Sequence, residues 1–430
     1  MSLEIELIDS KNKEKVISEI KGRGLSKYAS YEEGVKDIVS DVAENGDKAL
    51  FSYTKKFDGV DMDPSKLIVT DDEIKEAYET VSKDLLDVIR KALVSIRSYH
   101  EKQKQNGWFT TGDGIILGQK VIPLENVGVY VPGGKAVYPS SVLMNIVPAK
   151  VAGVEHIYMC TPPGKDGKVA DSTLVAAHEA GADVIYKVGG AQAIAAMAFG
   201  TESIQKVDKI VGPGNVYVAL AKKAVFGNVS IDSVAGPSEI CVLADESANP
   251  RYIAADLLSQ AEHDEMASAI LVTTSKDFAE KVKTEIEGFV PQLSRKEIIS
   301  KSLENFGHLL VASDMEEAYD LVNAVASEHL EIVTKDPFSD MTRIKNAGAI
   351  FLGAYSSEPL GDYFAGPNHV LPTGGTARFF SALSVDDFIK KSSIISYSRD
   401  ALEKIHTDIE TFAKCEQLTA HANSIAVRFE

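Results

Sequence analysis

The sequence predicts an α/β protein with two Rossmann-like parallel-sheet domains that lack the glycine fingerprint, plus small helical segments at the amino and carboxyl ends. Three observations lead there. From about Gly114 to Gly353, short β-branched runs alternate with Ala-rich helical stretches, the pattern of βαβ units covered on both faces. Glycines at Gly133-Gly134, Gly189-Gly190 and Gly212-Pro213-Gly214 follow strand candidates, where open α/β sheets take ligands. Finally, 430 residues exceed what one core organises, at roughly 150 residues per domain.

The elements follow in order. Residues 30 to 45 read as a helix with Val35, Ile38, Val39 and Val42 on one side. Over residues 71 to 105, Ile74, Ala77, Tyr78, Val81, Leu85, Val88, Ile89, Ala92 and Ile96 recur with the period of one long helix. Strands are expected at 127–131, 156–160, 184–188, 209–211, 240–243, 270–273, 309–311, 330–333 and 349–352, with helices between most of them. The three glycine junctions suggest one compact α/β unit from about Gly128 to Pro237. From about Ser384 to Glu430 the chain reads as helical again, with Leu402, Ile405, Ile409 and Phe412 three and four apart. That stretch is short for a core of its own and is expected to pack on another domain or a second subunit.

Composition narrows the function. The chain carries 45 Lys and Arg against 63 Asp and Glu, a net charge of −18, which argues against a nucleic-acid partner. A phosphate-bearing cofactor stays open, because helix N-termini hold phosphate through backbone N–H groups. No apolar run approaches the roughly 18 residues of a membrane span. The acidic start resembles no signal or transit peptide, and Cys160, Cys241 and Cys415 form neither a disulfide framework nor a Cys-x-x-Cys site. A cytoplasmic protein with reduced thiols is expected.

Several segments carry candidate chemistry. Gln260 and His263 close a helix that begins near Pro250, and their spacing places both on one face, which suits a metal or an ordinary polar surface. Glu328 and His329 sit where a helix gives way to a strand. They supply either a general base with a water-activating partner or a helix cap. Asp362 and His369 fall in a Gly- and Pro-rich stretch that reads as a long irregular loop, and such loops are usually functional. Glu416 and His421 lie at the end of the last helix. His100, His156, His178, His308 and His406 show no polar partner pattern.

Taken together, Gly128-Val-Tyr-Val-Pro-Gly-Gly134, Gly189-Gly-Ala-Gln-Ala193, Val211-Gly-Pro-Gly-Asn215, Ala235-Gly-Pro-Ser-Glu239, Gln260-Ala-Glu-His263, Ser327-Glu-His329, the Gly361 to Gly375 stretch and Glu416-Gln-Leu-Thr-Ala-His421 resemble the histidinol dehydrogenase family. The resemblance implies oxidation of L-histidinol to L-histidine through L-histidinaldehyde, with two NAD molecules used in turn and one Zn2+ per site. It implies zinc ligands at Gln260, His263, Asp362 and His421, and the catalytic pair Glu328 and His329. It places NAD against Tyr130, Gln192 and Asn215, and the substrate against Ser238, Gln260, His263, His329, Asp362, His369, Glu416 and His421. It also implies a homodimer in which Glu416 and His421 reach the partner's site. The expected domains are an arm at 1–25, a main α/β domain at 26–127 with 238–382, a cofactor-binding α/β domain at 128–237 and a helical segment at 383–430.

Overall fold

In the computed structural model, residues 3–9, 11–22, 29–133 and 137–430 are described. Gly134 of the first glycine junction, and the boundary between residues 25 and 26, lie outside them. The chain forms two compact units, residues 1–103 with 124–388, and residues 104–123 with 389–430.

The larger unit holds two parallel sheets. One has five strands in the order Val184–Lys187, His156–Thr161, Asn126–Tyr130, Lys209–Val211, Ser230–Ile231. The other has six, in the order Ile5–Leu7, Gly307–Val311, Ser268–Thr273, Glu239–Ala244, His329–Val333, Ala349–Leu352. Chain direction across each sheet reverses at one place. In the five-stranded sheet it lies between Asn126–Tyr130 and Lys209–Val211. In the six-stranded sheet it lies between Glu239–Ala244 and His329–Val333. Every residue of those last two strands is buried, as expected where helices cover both faces of a parallel sheet. The nine expected strands are all present, most extended by a residue or two.

The amino-terminal helices serve the five-stranded sheet. Ile89, Ala92 and Ile96 share a core with Val127 and Val129, and Val35, Val42 and Leu50 share another with Tyr130 and Tyr186. The expected single helix over 71 to 105 is two, Asp71–Thr80 and Lys83–Glu101. Val81 leaves the helix in an extended conformation and the Ser82 side chain accepts the Leu85 N–H, so a start signal inside the apolar stripe restarts the helix. The helix expected to end near residue 45 continues to Asp58 through a kink at Gly46. Gly46 has φ +53°, and a Cβ there would collide with the Glu202 carboxylate.

The smaller unit corrects the expectation of a wholly helical carboxyl terminus. Ile389–Tyr397 is a strand, antiparallel to Ile115–Pro123, which also pairs with Trp108–Gly112. Only after it come the helices Arg399–Glu403, His406–Cys415 and Thr419–Ala426. Partner strands distant in sequence decide this segment, and a helical period cannot register them. Among the described residues, no helix is long and apolar enough to cross a membrane.

A buried ion pair shapes one glycine turn. Lys222 and Asp232 contact each other with side chains almost wholly buried. Lys222 Nζ donates to the Gly212 carbonyl at 2.9 Å and Asp232 Oδ2 accepts the Gly212 N–H at 2.8 Å. Removing one partner leaves an uncompensated charge. Asp232→Ala is expected to lower the unfolding free energy by about 3–5 kcal/mol. The double change Lys222→Met with Asp232→Leu should recover much of that loss, both read by urea denaturation.

Candidate active site

The amino ends of two adjacent strands build the site. His329 opens its strand and pairs in register with Ile240 on one side and Ala349 on the other. The backbone of Glu239, next to Ile240, then touches both members of the expected pair. Its N–H donates to Glu328 Oε2 at 3.0 Å, and its carbonyl lies 3.2 Å from His329 Nδ1. That contact places the ring hydrogen on Nδ1 and turns Nε2 away from the strand. His329 Nε2 is buried without a hydrogen-bond partner, 3.8 Å from Asp362 Oδ1.

Charge is concentrated here. Burial pushes the Glu328 carboxyl up to about 8, against the pull of His329 and the Glu239 N–H. Burial works to lower His329, yet Glu328, Asp362 and Glu358 outweigh it and raise the ring to about 10. Asp362 is held below its usual range despite burial, chiefly by its contact with His329. His369 Nδ1 stands 3.1 Å from the Asp362 carbonyl and 3.8 Å from its carboxylate.

Three ligand-type side chains converge beside this pair. Donor atoms of His263, Glu358 and Asp362 all lie within 4.8 Å of one another. Gln260, in the last turn of helix Pro250–Ala261, is wholly buried, and both of its amide atoms lack hydrogen-bond partners. An orphaned amide beside an imidazole and two carboxylates suits a divalent cation, because a buried polar group without a partner is costly.

Not every expected residue lies where the sequence put it. Asp362 is not in an irregular loop but in the short helix Glu358–Tyr363, and the irregular stretch begins after it. Glu358, four residues before Asp362, was not anticipated. Glu416 caps helix His406–Cys415, while His421 belongs to a further helix, Thr419–Ala426. Both are exposed members of the smaller unit. Ser238 is half-buried immediately before Glu239. Among the histidines without an expected partner, His178 meets Tyr78 Oη at 2.9 Å and His308 meets Glu6 at 2.9 Å, so these two have structural partners.

A second cradle lies at the carboxyl edge of the five-stranded sheet, beside its direction reversal. The Gly190 N–H donates to Tyr130 Oη at 3.0 Å. Gln192, in the first turn of helix Gly190–Phe199, is buried with both amide atoms unpartnered. Asn215 caps helix Val216–Val225 by accepting the Tyr217 and Val218 N–H groups. Gly212 passes so close to the Tyr130 carbonyl that a Cβ would collide with it, and its φ of +118° excludes other residues. Two helix N-termini and an unsatisfied amide meet at the switch point of this sheet, the end of a parallel sheet at which ligands usually bind.

Two parallel sheets with a buried acid–imidazole pair at the edge of one define an α/β enzyme. The histidinol dehydrogenase family profile matches residues 22–429. A histidinol dehydrogenase of Caldanaerobacter subterraneus is 57% identical over 414 residues, covering 96% of each chain. One from Clostridium acetobutylicum is 58% identical over 418 residues, covering 97% of this chain and 96% of the relative. The crystal structure of histidinol dehydrogenase from Elizabethkingia anophelis superimposes with a TM-score of 0.93 at 38% identity, covering 99% of this chain and 98% of that one. The chain belongs to the histidinol dehydrogenase family and is an oxidoreductase.

Gly348 tests the placement of the pair. A Cβ there would stand 2.5 Å from the Glu328 carbonyl. Gly348→Ala is therefore expected to displace Glu328 and lower turnover on the order of 100-fold, since misplacement by about 1 Å has that effect. Circular dichroism should show the fold retained. Unchanged turnover would mean that Glu328 need not sit where it does.

Proposed function

We propose that this protein oxidises L-histidinol to L-histidine through L-histidinaldehyde, the last step of histidine biosynthesis, with NAD and one zinc ion per site. The buried Glu328–His329 pair, held by the backbone of Glu239 and facing Asp362 and His369, carries this reading within the family.

Gln260, His263 and Asp362 would hold the zinc, which when bound orients the imidazole and amine of the substrate. The crevice of Tyr130, Gln192 and Asn215 would hold NAD, the hydride acceptor. The remaining work falls to the chain. In its neutral form His329 takes the alcohol proton at Nε2, because Nδ1 is committed to the Glu239 carbonyl. Glu328 then removes a proton from the water that adds to the aldehyde carbon, and His329 serves the second oxidation. Ser238 and His369 orient the substrate. Glu416 and His421, exposed on the smaller unit, complete the site of a second copy of the chain as substrate contact and fourth zinc ligand.

Stoichiometry tests the reaction. Two NADH should form per histidinol consumed, and a value near one or zero would reject it. Glu328→Gln should slow oxidation of the aldehyde more than oxidation of the alcohol, because only the former needs an activated water. Equal losses would remove Glu328 from that role. Sharing between copies is tested by mixing His421→Ala chains with Glu328→Gln chains. Mixed dimers should regain activity that neither parent has, whereas no regain would place each site within one chain.

A further inference from the structure

Strand His329–Val333 carries Leu330, Ile332 and Val333 on its apolar positions and one carboxylate, Glu331, whose side chain shares a face with His329 two residues earlier. Glu331 is 1% exposed, and a carboxylate so placed is expensive unless it is used. Glu331 Oε1 accepts the backbone N–H of Glu358 at 2.7 Å. Glu358 is the first residue of the helix that carries Asp362, and the N-cap residue Ser357 makes no side-chain cap there. Glu331 therefore supplies the missing cap from a neighbouring strand.

Its other neighbour completes a node. The carboxyl of Asp256, one turn before Gln260, acts on that of Glu331. Two neighbouring buried carboxyls are favoured to share a proton. Burial favours that, raising Glu331 well above its ordinary value and Asp256 to about 6. Ser259 Oγ, beside Gln260, donates to Glu358 Oε2 at 3.1 Å. Three elements thus meet: the helix ending at Gln260, the strand opening at His329 and the helix bearing Asp362.

We propose that Glu331 is a positioning residue that locks the Asp362 helix against the Gln260 helix and so fixes both side chains for a divalent cation. This rests on the metal-dependent reading above. Glu331, Asp256, Ser259 and Glu358 are not among the proposed substrate contacts, so the node's effect is read on the metal itself.

The experiment is zinc competition against a chromophoric chelator, using the full-length protein and its variants. Glu331→Ala should weaken zinc binding about 10- to 100-fold, the usual effect of losing an outer partner of a ligand. Glu331→Gln keeps an oxygen for the Glu358 N–H and an N–H for Asp256, so it should bind zinc close to wild type. Glu331→Met fills the same volume without an acceptor and should weaken zinc like Ala, which keeps the test alive if the Ala variant does not fold. Unchanged affinity in a folded Ala or Met variant overturns the proposal. So does a Gln variant as weak as Ala, because charge rather than the tie would then matter. Wild-type protein that binds no zinc would overturn the metal reading first and this inference with it.

Discussion

The backbone of one residue ties the candidate pair together. Glu239 offers its N–H to Glu328 and its carbonyl to His329, so acid and imidazole are oriented by the two peptide groups that flank a single Cα. Neither can shift without breaking the parallel register between two wholly buried strands. That arrangement also answers a difficulty of adjacent residues, which point to opposite sides of a regular strand. Glu328 lies just before the strand and His329 is its first residue, so both face the same edge.

The candidate features of the two sheets lie at opposite edges. The five-stranded sheet presents glycine turns and helix N-termini at its carboxyl edge, the usual ligand-binding end of a parallel sheet. The six-stranded sheet uses its amino edge instead, where Glu239 and His329 begin their strands. The stretch after Asp362 is anchored to elements of both. Asn368 donates to the Met144 carbonyl in the helix Pro139–Ala152. Further on, Thr373 accepts the Gly236 N–H and the Gly374 N–H reaches Glu239. His369 lies between those anchor points.

Much of this was legible in the sequence. β-Branched runs and glycine junctions marked the parallel strands, because buried strands leave continuous apolar words between turn residues. Pairings decided at long range were not legible. Ile389–Tyr397 has no mark that outweighs its helical neighbours, and Ile5–Leu7 is too short to show a period. Motifs pointed to Gln260, His263, Glu328, His329 and Asp362 as candidates, and the fold sets His263, His329 and Asp362 near one another. Glu358, Glu331 and Asp256 escaped because supporting residues carry no motif. Glu331 did leave a signal: a single carboxylate inside Leu330-Glu331-Ile332-Val333, where a strand covered on both faces has no solvent for it.

The short strand Ile5–Leu7 closes one border of the six-stranded sheet by parallel pairing with Gly307–Val311. An uncapped border would offer a longer row of free amide and carbonyl groups to any other extended chain. Ile5, Glu6 and Leu7 stand opposite Leu309, Leu310 and Val311, so they occupy the row of backbone groups that a foreign extended chain would otherwise meet.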